Sequence, residues 1–193
     1  DALRAETNEI MVAGGMESMT NAPYILQKAR SGLRLGHGEM SDHMFLDGLE
    51  DVYEKGTLMG VFAERTAKSY GFTREEQDEF SIRSLTRAKT AIEDGSFKEE
   101  ITPVSFQDRK GETVVEQDEQ PLTANLEKIP RLRPAFEKEG TVTAANSSSI
   151  SDGAAALVMM SESTAKKRGL TPLARILGHS SFAQSPDWFT TAP

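Results

Sequence analysis

The sequence predicts an α/β fold in which a layered core is interrupted by a long insertion with a character of its own. Two observations carry this. Ile10-Met-Val-Ala13 and Ala154-Ala-Ala-Leu-Val-Met-Met160 are short, continuous apolar runs of the kind that form strands covered on both faces. About 140 residues lie between them, and these carry helix caps, a hairpin pattern and prolines in place of further core strands. A third run, Leu173-Ala-Arg-Ile-Leu177, alternates less clearly and is assigned to the same core.

Residues 1–8 set Leu3 and Ala5 among charges, as the last turns of a surface helix would. The strand that follows is expected to close at Gly14-Gly15. Residues 20–46 are rich in Gly, Met and isolated charges without a sustained period, and read as a surface arm. From Met59 to Tyr70, helical spacing brings Val61, Phe62, Thr66 and Tyr70 near one face, with a stop at Gly71. Thr73-Arg-Glu-Glu76 is a capping box, and it opens the best-marked helix of the chain. Phe80, Leu85, Ala88 and Ile92 are assigned to its buried stripe and Gly95 to its C-terminal stop.

Two short strands, Ile101 to Phe106 and Glu112 to Val115, flank Gln107-Asp-Arg-Lys-Gly111 as a hairpin, with Pro103 confining the first to an edge. Pro121, Pro130 and Pro134 are expected to keep residues 120–135 extended. The run Ala154 to Met160 passes through Ser161 into a helix that ends at Gly169.

Composition excludes several functions. The net charge of −8 offers no basic face for nucleic acid or an anionic membrane, and no apolar run approaches the roughly 20 residues needed to span a bilayer. With no cysteine there is no disulfide, no zinc-thiolate site and no thiol nucleophile. A hydrophobic content of 37% is low for a self-contained globule. Together with a first segment and a last segment that read as interrupted elements, it suggests a piece of a larger protein.

Candidate chemistry is sparse. Ser147, Ser148 and Ser149 have no Gly-x-Ser-x-Gly elbow around them, and the three histidines are His37, His43 and His179. His37 and His43 with Asp42 have neither helical-pair nor finger spacing for a metal, so no metal site is assigned. The clusters Glu75, Glu76, Asp78, Glu79 and Glu116, Asp118, Glu119 lack apolar surroundings and read as solvated faces. Most informative is Gly140-Thr-Val-Thr-Ala-Ala-Asn-Ser-Ser-Ser-Ile-Ser-Asp-Gly153, small and hydroxylated, which would let a ligand approach the backbone of residues 143–149. A polar loop feeding a core strand explains the same composition, and the residues alone leave both readings open.

Five blocks in this order resemble the thiolase family: Val12-Ala-Gly-Gly-Met-Glu-Ser-Met19, Asp47-Gly-Leu49 with Met59-Gly60, the Glu76-Gln-Asp78 helix, Leu132-Arg-Pro-Ala-Phe136, and Gly140 to Gly153 with its strand. The resemblance covers essentially the whole chain and is nearest to the acetoacetyl-CoA thiolase (acetyl-CoA C-acetyltransferase) branch. It implies an αβαβα-layered core, incomplete here, with an inserted α+β loop domain. Residues 1–19 and 149–170 would belong to the N-terminal half, 20–148 to the loop domain, and 171–193 to the start of the C-terminal half. The arm at 20–46 would join dimers into a homo-oligomer, up to a tetramer.

The resemblance further implies that the chain holds coenzyme A or acetyl-CoA as substrate, with no permanently bound cofactor. Leu49, Met59, Phe136, Ala144, Ser148, Ile150 and Phe189 match residues around the pantetheine and adenine ends. Ser148 would bond a pantetheine amide, Ala144 would leave room for the chain, and Met59 and Phe136 would form apolar walls. Four departures stand out: Leu58 where a His is frequent, Lys128 near the nucleotide, Leu85 where a potassium-site tyrosine can stand, and Thr190-Thr-Ala-Pro193 in place of Gly-x-Gly-Pro.

The family's catalytic cysteines and its histidine base match no position of this sequence. The 193 residues alone are therefore expected to be inactive and prone to self-association, while the parent enzyme would work in a bacterial cytoplasm or a mitochondrial matrix. Two other readings are a non-catalytic acyl-CoA-binding or oligomerisation module and a 3-ketoacyl-CoA thiolase of longer-chain preference, since one methylene is worth only about 1–3 kcal/mol.

Overall fold

The computed structural model describes residues 1–109 and 111–193. In chain order its regular elements are β1 (Ile10–Ser18), β2 (Tyr24–Leu26), β3 (Met40–Asp42), α1 (Met59–Tyr70), α2 (Arg74–Glu93), β4 (Val104–Asp108), β5 (Gly111–Val115), α3 (Glu119–Thr123), β6 (Asp152–Met160) and α4 (Glu162–Lys167). The strands of the described residues form three antiparallel pairs, β1 with β6, β2 with β3, and β4 with β5. The chain divides into two compact units, one formed by Asp1–Thr57 and Ser149–Pro193, the other by Leu58–Ser148.

In the first unit β1 and β6 pair along their full length, from Ile10 opposite Met160 to Ser18 opposite Asp152. β1 therefore does not stop at Gly14-Gly15. Those glycines lie across from Ala156 and Ala155, and a Cβ on Gly14 would come within 2.2 Å of the Ala155 carbonyl oxygen. Gly14 marks a close backbone approach inside a strand, not its end, whereas a Cβ on Gly15 would meet nothing. Covering on both faces is not provided within this unit: Val12 is 70% and Leu157 66% exposed.

β6 runs as expected into α4, with the Ser161 hydroxyl capping the Thr164 amide at 3.2 Å and Gly169 in the left-handed region at the stop. Two further expectations fail. Residues 1–8 form turns, with the Ala5 amide bonded to the Asp1 carbonyl, and no helix. Leu173 to Leu177 is not a strand, because an apolar run needs a neighbour to pair with and the described residues give it none. The 20–46 segment is a short β2–β3 pair with helical single turns at Met19–Asn21 and Ala29–Ser31.

The second unit holds most of the buried residues: Phe62 and Ala67 of α1, Ile129, Val142, and with them Glu64, Asp78, Ser81 and Thr143. α1 ends at Gly71, whose φ of 70° is readily adopted only without a Cβ. The capping box forms in full, Thr73 accepting from the Glu76 amide at 3.2 Å and Glu76 from the Thr73 amide at 2.9 Å. Phe80 does not join the buried stripe. It stands about 140° around the helix from Leu85, is 64% exposed, and carries the Arg83 guanidinium over its ring.

The hairpin pairs Val104 with Val115 through Asp108 with Gly111; Lys110, in its expected loop, lies outside the described residues. Residues 120–135 are not simply extended. Pro121 sits in the first turn of α3, where no amide hydrogen is required, and Pro130 lies in a tight 3-10 stretch, Leu126–Arg131.

Candidate functional site

The second unit is built around two buried carboxylates, one on each main helix. On α2, Arg74 Nε donates to Asp78 Oδ2 at 2.8 Å, and Arg74 Nη2 donates to the carbonyls of Ile129 (3.1 Å) and Leu132 (2.9 Å). This fastens the 3-10 stretch and the start of the segment carrying Phe136 to the helix. Asp78 is therefore not part of a solvated face: it is 5% exposed, and its Oδ1 is buried without a hydrogen-bond partner. The other cluster residues Glu75, Glu76 and Glu79 are exposed.

On α1, Glu64 is also 5% exposed. Its Oε1 accepts from the amides of Thr141 (2.9 Å) and Val142 (2.7 Å), and its Oε2 from the Thr141 amide (2.9 Å) and the Thr141 hydroxyl (3.1 Å). The carboxylate fits so closely under the loop that a Cβ on Gly140 would lie 2.2 Å from Oε1. Asn146 closes the segment from the other side, accepting from the Thr143 amide at 2.7 Å and donating to the Thr141 carbonyl at 3.1 Å. The Val142 carbonyl takes the Ala135 amide at 2.9 Å, and the Thr143 carbonyl takes the Ser147 hydroxyl at 2.6 Å. All six main-chain polar groups of residues 141–143 are thus satisfied within the unit. The expectation that the backbone of residue 143 serves a ligand is corrected accordingly, and of residues 144–148 it is Ala144 and Ser148 that are exposed.

Four of the seven residues assigned from sequence lie in this unit. Met59 is the first residue of α1 and half-buried. Phe136 packs its ring against the helix start: a Cβ on Gly60 would come within 2.2 Å of the ring, so only glycine leaves room for it. Ala144 and Ser148 project from the clamped loop. The other three lie in the first unit, Leu49 half-buried at the end of a wide helical turn (Phe45–Leu49), Ile150 61% exposed, and Phe189 40% exposed in a 3-10 stretch (Pro186–Thr191). An open hollow of about 500 Å³ on the outer face of α2, between Phe72, Phe80, Arg83 and Asn146, contains none of the seven.

Sequence reasoning placed Asp78 on a solvated face and did not single out Glu64, Arg74 or Asn146. No group of three His, Asp or Glu side chains converges on a metal position among the described residues, and His43 stands 3.8 Å from Asp47.

The family model described as thiolase, N-terminal domain, matches residues 1–163. The chain belongs to the thiolase family. It is 50% identical over 190 residues to acetyl-CoA acetyltransferase IA of Candida tropicalis, covering 97% of this chain and 47% of that one. With the acetyl-CoA acetyltransferase of Pseudomonas aeruginosa it shares 47% identity over 187 residues, 96% of this chain and 47% of the relative. Among solved structures, Bacillus anthracis acetyl-CoA acetyltransferase aligns with a TM-score of 0.87 at 43% identity, over 97% of this chain and 47% of that one. The α/β fold with its layered core is therefore the thiolase fold, and this thiolase chain spans about half the length of the curated relatives it matches. Among the described residues no helix is long and apolar enough to cross a membrane.

Proposed function

We propose that this chain is the acyl-CoA-holding part of an acetyl-CoA acetyltransferase, which condenses two acetyl-CoA molecules to acetoacetyl-CoA and CoA or runs the thiolysis in reverse. The observation that carries the reading is the identity of 50% across nearly the whole chain to a relative bearing that name. The preformed loop supports it. Residues 141–143 are fixed from within, so Ala144 and Ser148 can meet a pantetheine arm at no ordering cost, and Phe136 against Gly60 offers an apolar wall. In this reading Leu49, Met59, Phe136, Ala144, Ser148, Ile150 and Phe189 contact coenzyme A.

The chain's own chemistry is binding and orientation. With no cysteine in the sequence, the thiol that accepts the acetyl group and the base that deprotonates the second acetyl-CoA come from outside these residues. Residues 20–148 act as the loop domain, and the arm at 20–46 as a contact between subunits of a homo-oligomer. The exposed Tyr24, Leu35 and Met40 on and beside β2 and β3 support that contact. A bacterial cytoplasm or a mitochondrial matrix suits the substrate.

Cleavage of acetoacetyl-CoA by free CoA tests the assignment. The full-length protein is expected to turn over and the 193 residues alone to give only background. Turnover by the 193 residues contradicts the division of labour, and a full-length protein without activity removes the assignment itself.

A further inference from the structure

Glu64 touches no residue assigned to the ligand, yet it fixes Thr141 and Val142, from which the Ala144–Ser148 segment continues. Three donors converge on its carboxylate, the amides of Thr141 and Val142 and the Thr141 hydroxyl. The hydroxyl is itself polarised from behind, because Gln77 Nε2 of α2 donates to Thr141 Oγ1 at 2.9 Å. The direction of this chain is fixed. Gln77 can only donate there, so the Thr141 hydroxyl must donate onward, and the side chain at position 64 must be acceptor-only at both oxygens. Gly140 supplies the space for the contact, since any Cβ there would meet the carboxylate. α1, which carries Glu64, also carries Gly60, against which Phe136 packs, so one helix sets both the apolar wall and the small-residue loop.

We propose that Glu64 is a positioning residue for acyl-CoA binding: it holds Thr141 and Val142 so that Ala144 and Ser148 stand at a fixed distance from Phe136. The inference rests on the acyl-CoA reading of that surface. Glu64→Gln keeps size and shape but replaces Oε2 by an NH2 that faces the Thr141 amide and hydroxyl, so the hydroxyl loses its acceptor and the amide, left with Oε1 alone, meets a like donor. The loop then loses its register, and substrate binding weakens while the distant reacting groups are untouched.

The test is steady-state thiolysis in the full-length protein with melting temperature measured alongside. For Glu64→Gln the KM for the acyl-CoA is expected to rise roughly ten-fold with kcat held within about two-fold. Thr141→Ser, which keeps the hydroxyl, should behave as the unsubstituted protein, and Thr141→Val should raise KM in the manner of Glu64→Gln. A role in stability alone would lower the melting temperature and leave KM where it was, and that result overturns the proposal. Should Glu64→Gln fail to fold, the Thr141→Ser and Thr141→Val pair reads the same contact, and equal KM values for the two overturn it. Phe136→Ala separates the two readings. An unchanged KM there removes the acyl-CoA site and this proposal with it, whereas a raised KM beside an unmoved Glu64→Gln removes the positioning role alone.

Discussion

The Leu58–Ser148 unit and the β1–β6 ladder satisfy their backbones in opposite ways. In the ladder every residue from Ile10 to Ser18 has a partner on β6, yet Val12, Met16, Leu157 and Val158 are each two-thirds exposed or more. In Leu58–Ser148 the loop at residues 140–148 has no helix or strand, and residues 141–143 are buried or half-buried because Glu64 and Asn146 replace the missing ladder. Regular hydrogen bonding and burial are thus separable. The loop is held by side chains reaching from helices, which lets its outer surface take a shape that a strand could not, and which makes it depend on a few residues.

That dependence yields the largest expected effect. Arg74→Met leaves Asp78 buried without the cation that pairs with it and the carbonyls of Ile129 and Leu132 without their donor, at a cost of about 3 kcal/mol in denaturant unfolding. The double substitution with Asp78→Leu should cost less than the single one, and the reverse order would break the comparison. Next is Gly60→Ala. The new methyl displaces the Phe136 ring, costing about 1–2 kcal/mol, while alanine's better helix propensity returns up to about 1 kcal/mol. The net loss read by thermal melting should be small, and the displacement of Phe136 should show instead as weakened CoA binding by calorimetry.

Smallest is the pH effect in the first unit. Asp152 Oδ1 accepts the Thr20 amide at 2.9 Å, and this bond holds its carboxyl below the usual value of 3.8. The folded state therefore binds the proton less readily than the unfolded one. Its contribution is complete above pH 3.8 and is lost as pH falls through the lowered value. Asp152→Asn should shift the melting temperature slightly at neutral pH and not at all once the carboxyl is protonated.

Local chemistry was legible wherever a residue type has one structural use. Thr73 and Glu76 wrote the capping box, Gly71, Gly95 and Gly169 wrote the helix stops, and the runs 101–106 and 112–115 on either side of a polar turn wrote the hairpin. What could not be read is what depends on contacts distant in sequence. Glu64 meets Thr141 across 77 positions and Arg74 meets Leu132 across 58, so nothing near Glu64 or Asp78 distinguishes them from surface acids. Gly14 misled for the same reason, since the Ala155 carbonyl that excludes a Cβ there lies on β6. Of the candidate site, the residues proposed to face the ligand came from family likeness and the Glu64 clamp on residues 141–142 from the structure.

Amide hydrogen exchange along the chain tests the central contrast most directly. If Glu64 holds the loop as described, the Thr141 and Val142 amides exchange among the slowest in the protein, and the β1–β6 ladder amides open at much lower free energy. Fast exchange at Thr141 and Val142 beside a slowly exchanging ladder would contradict the account.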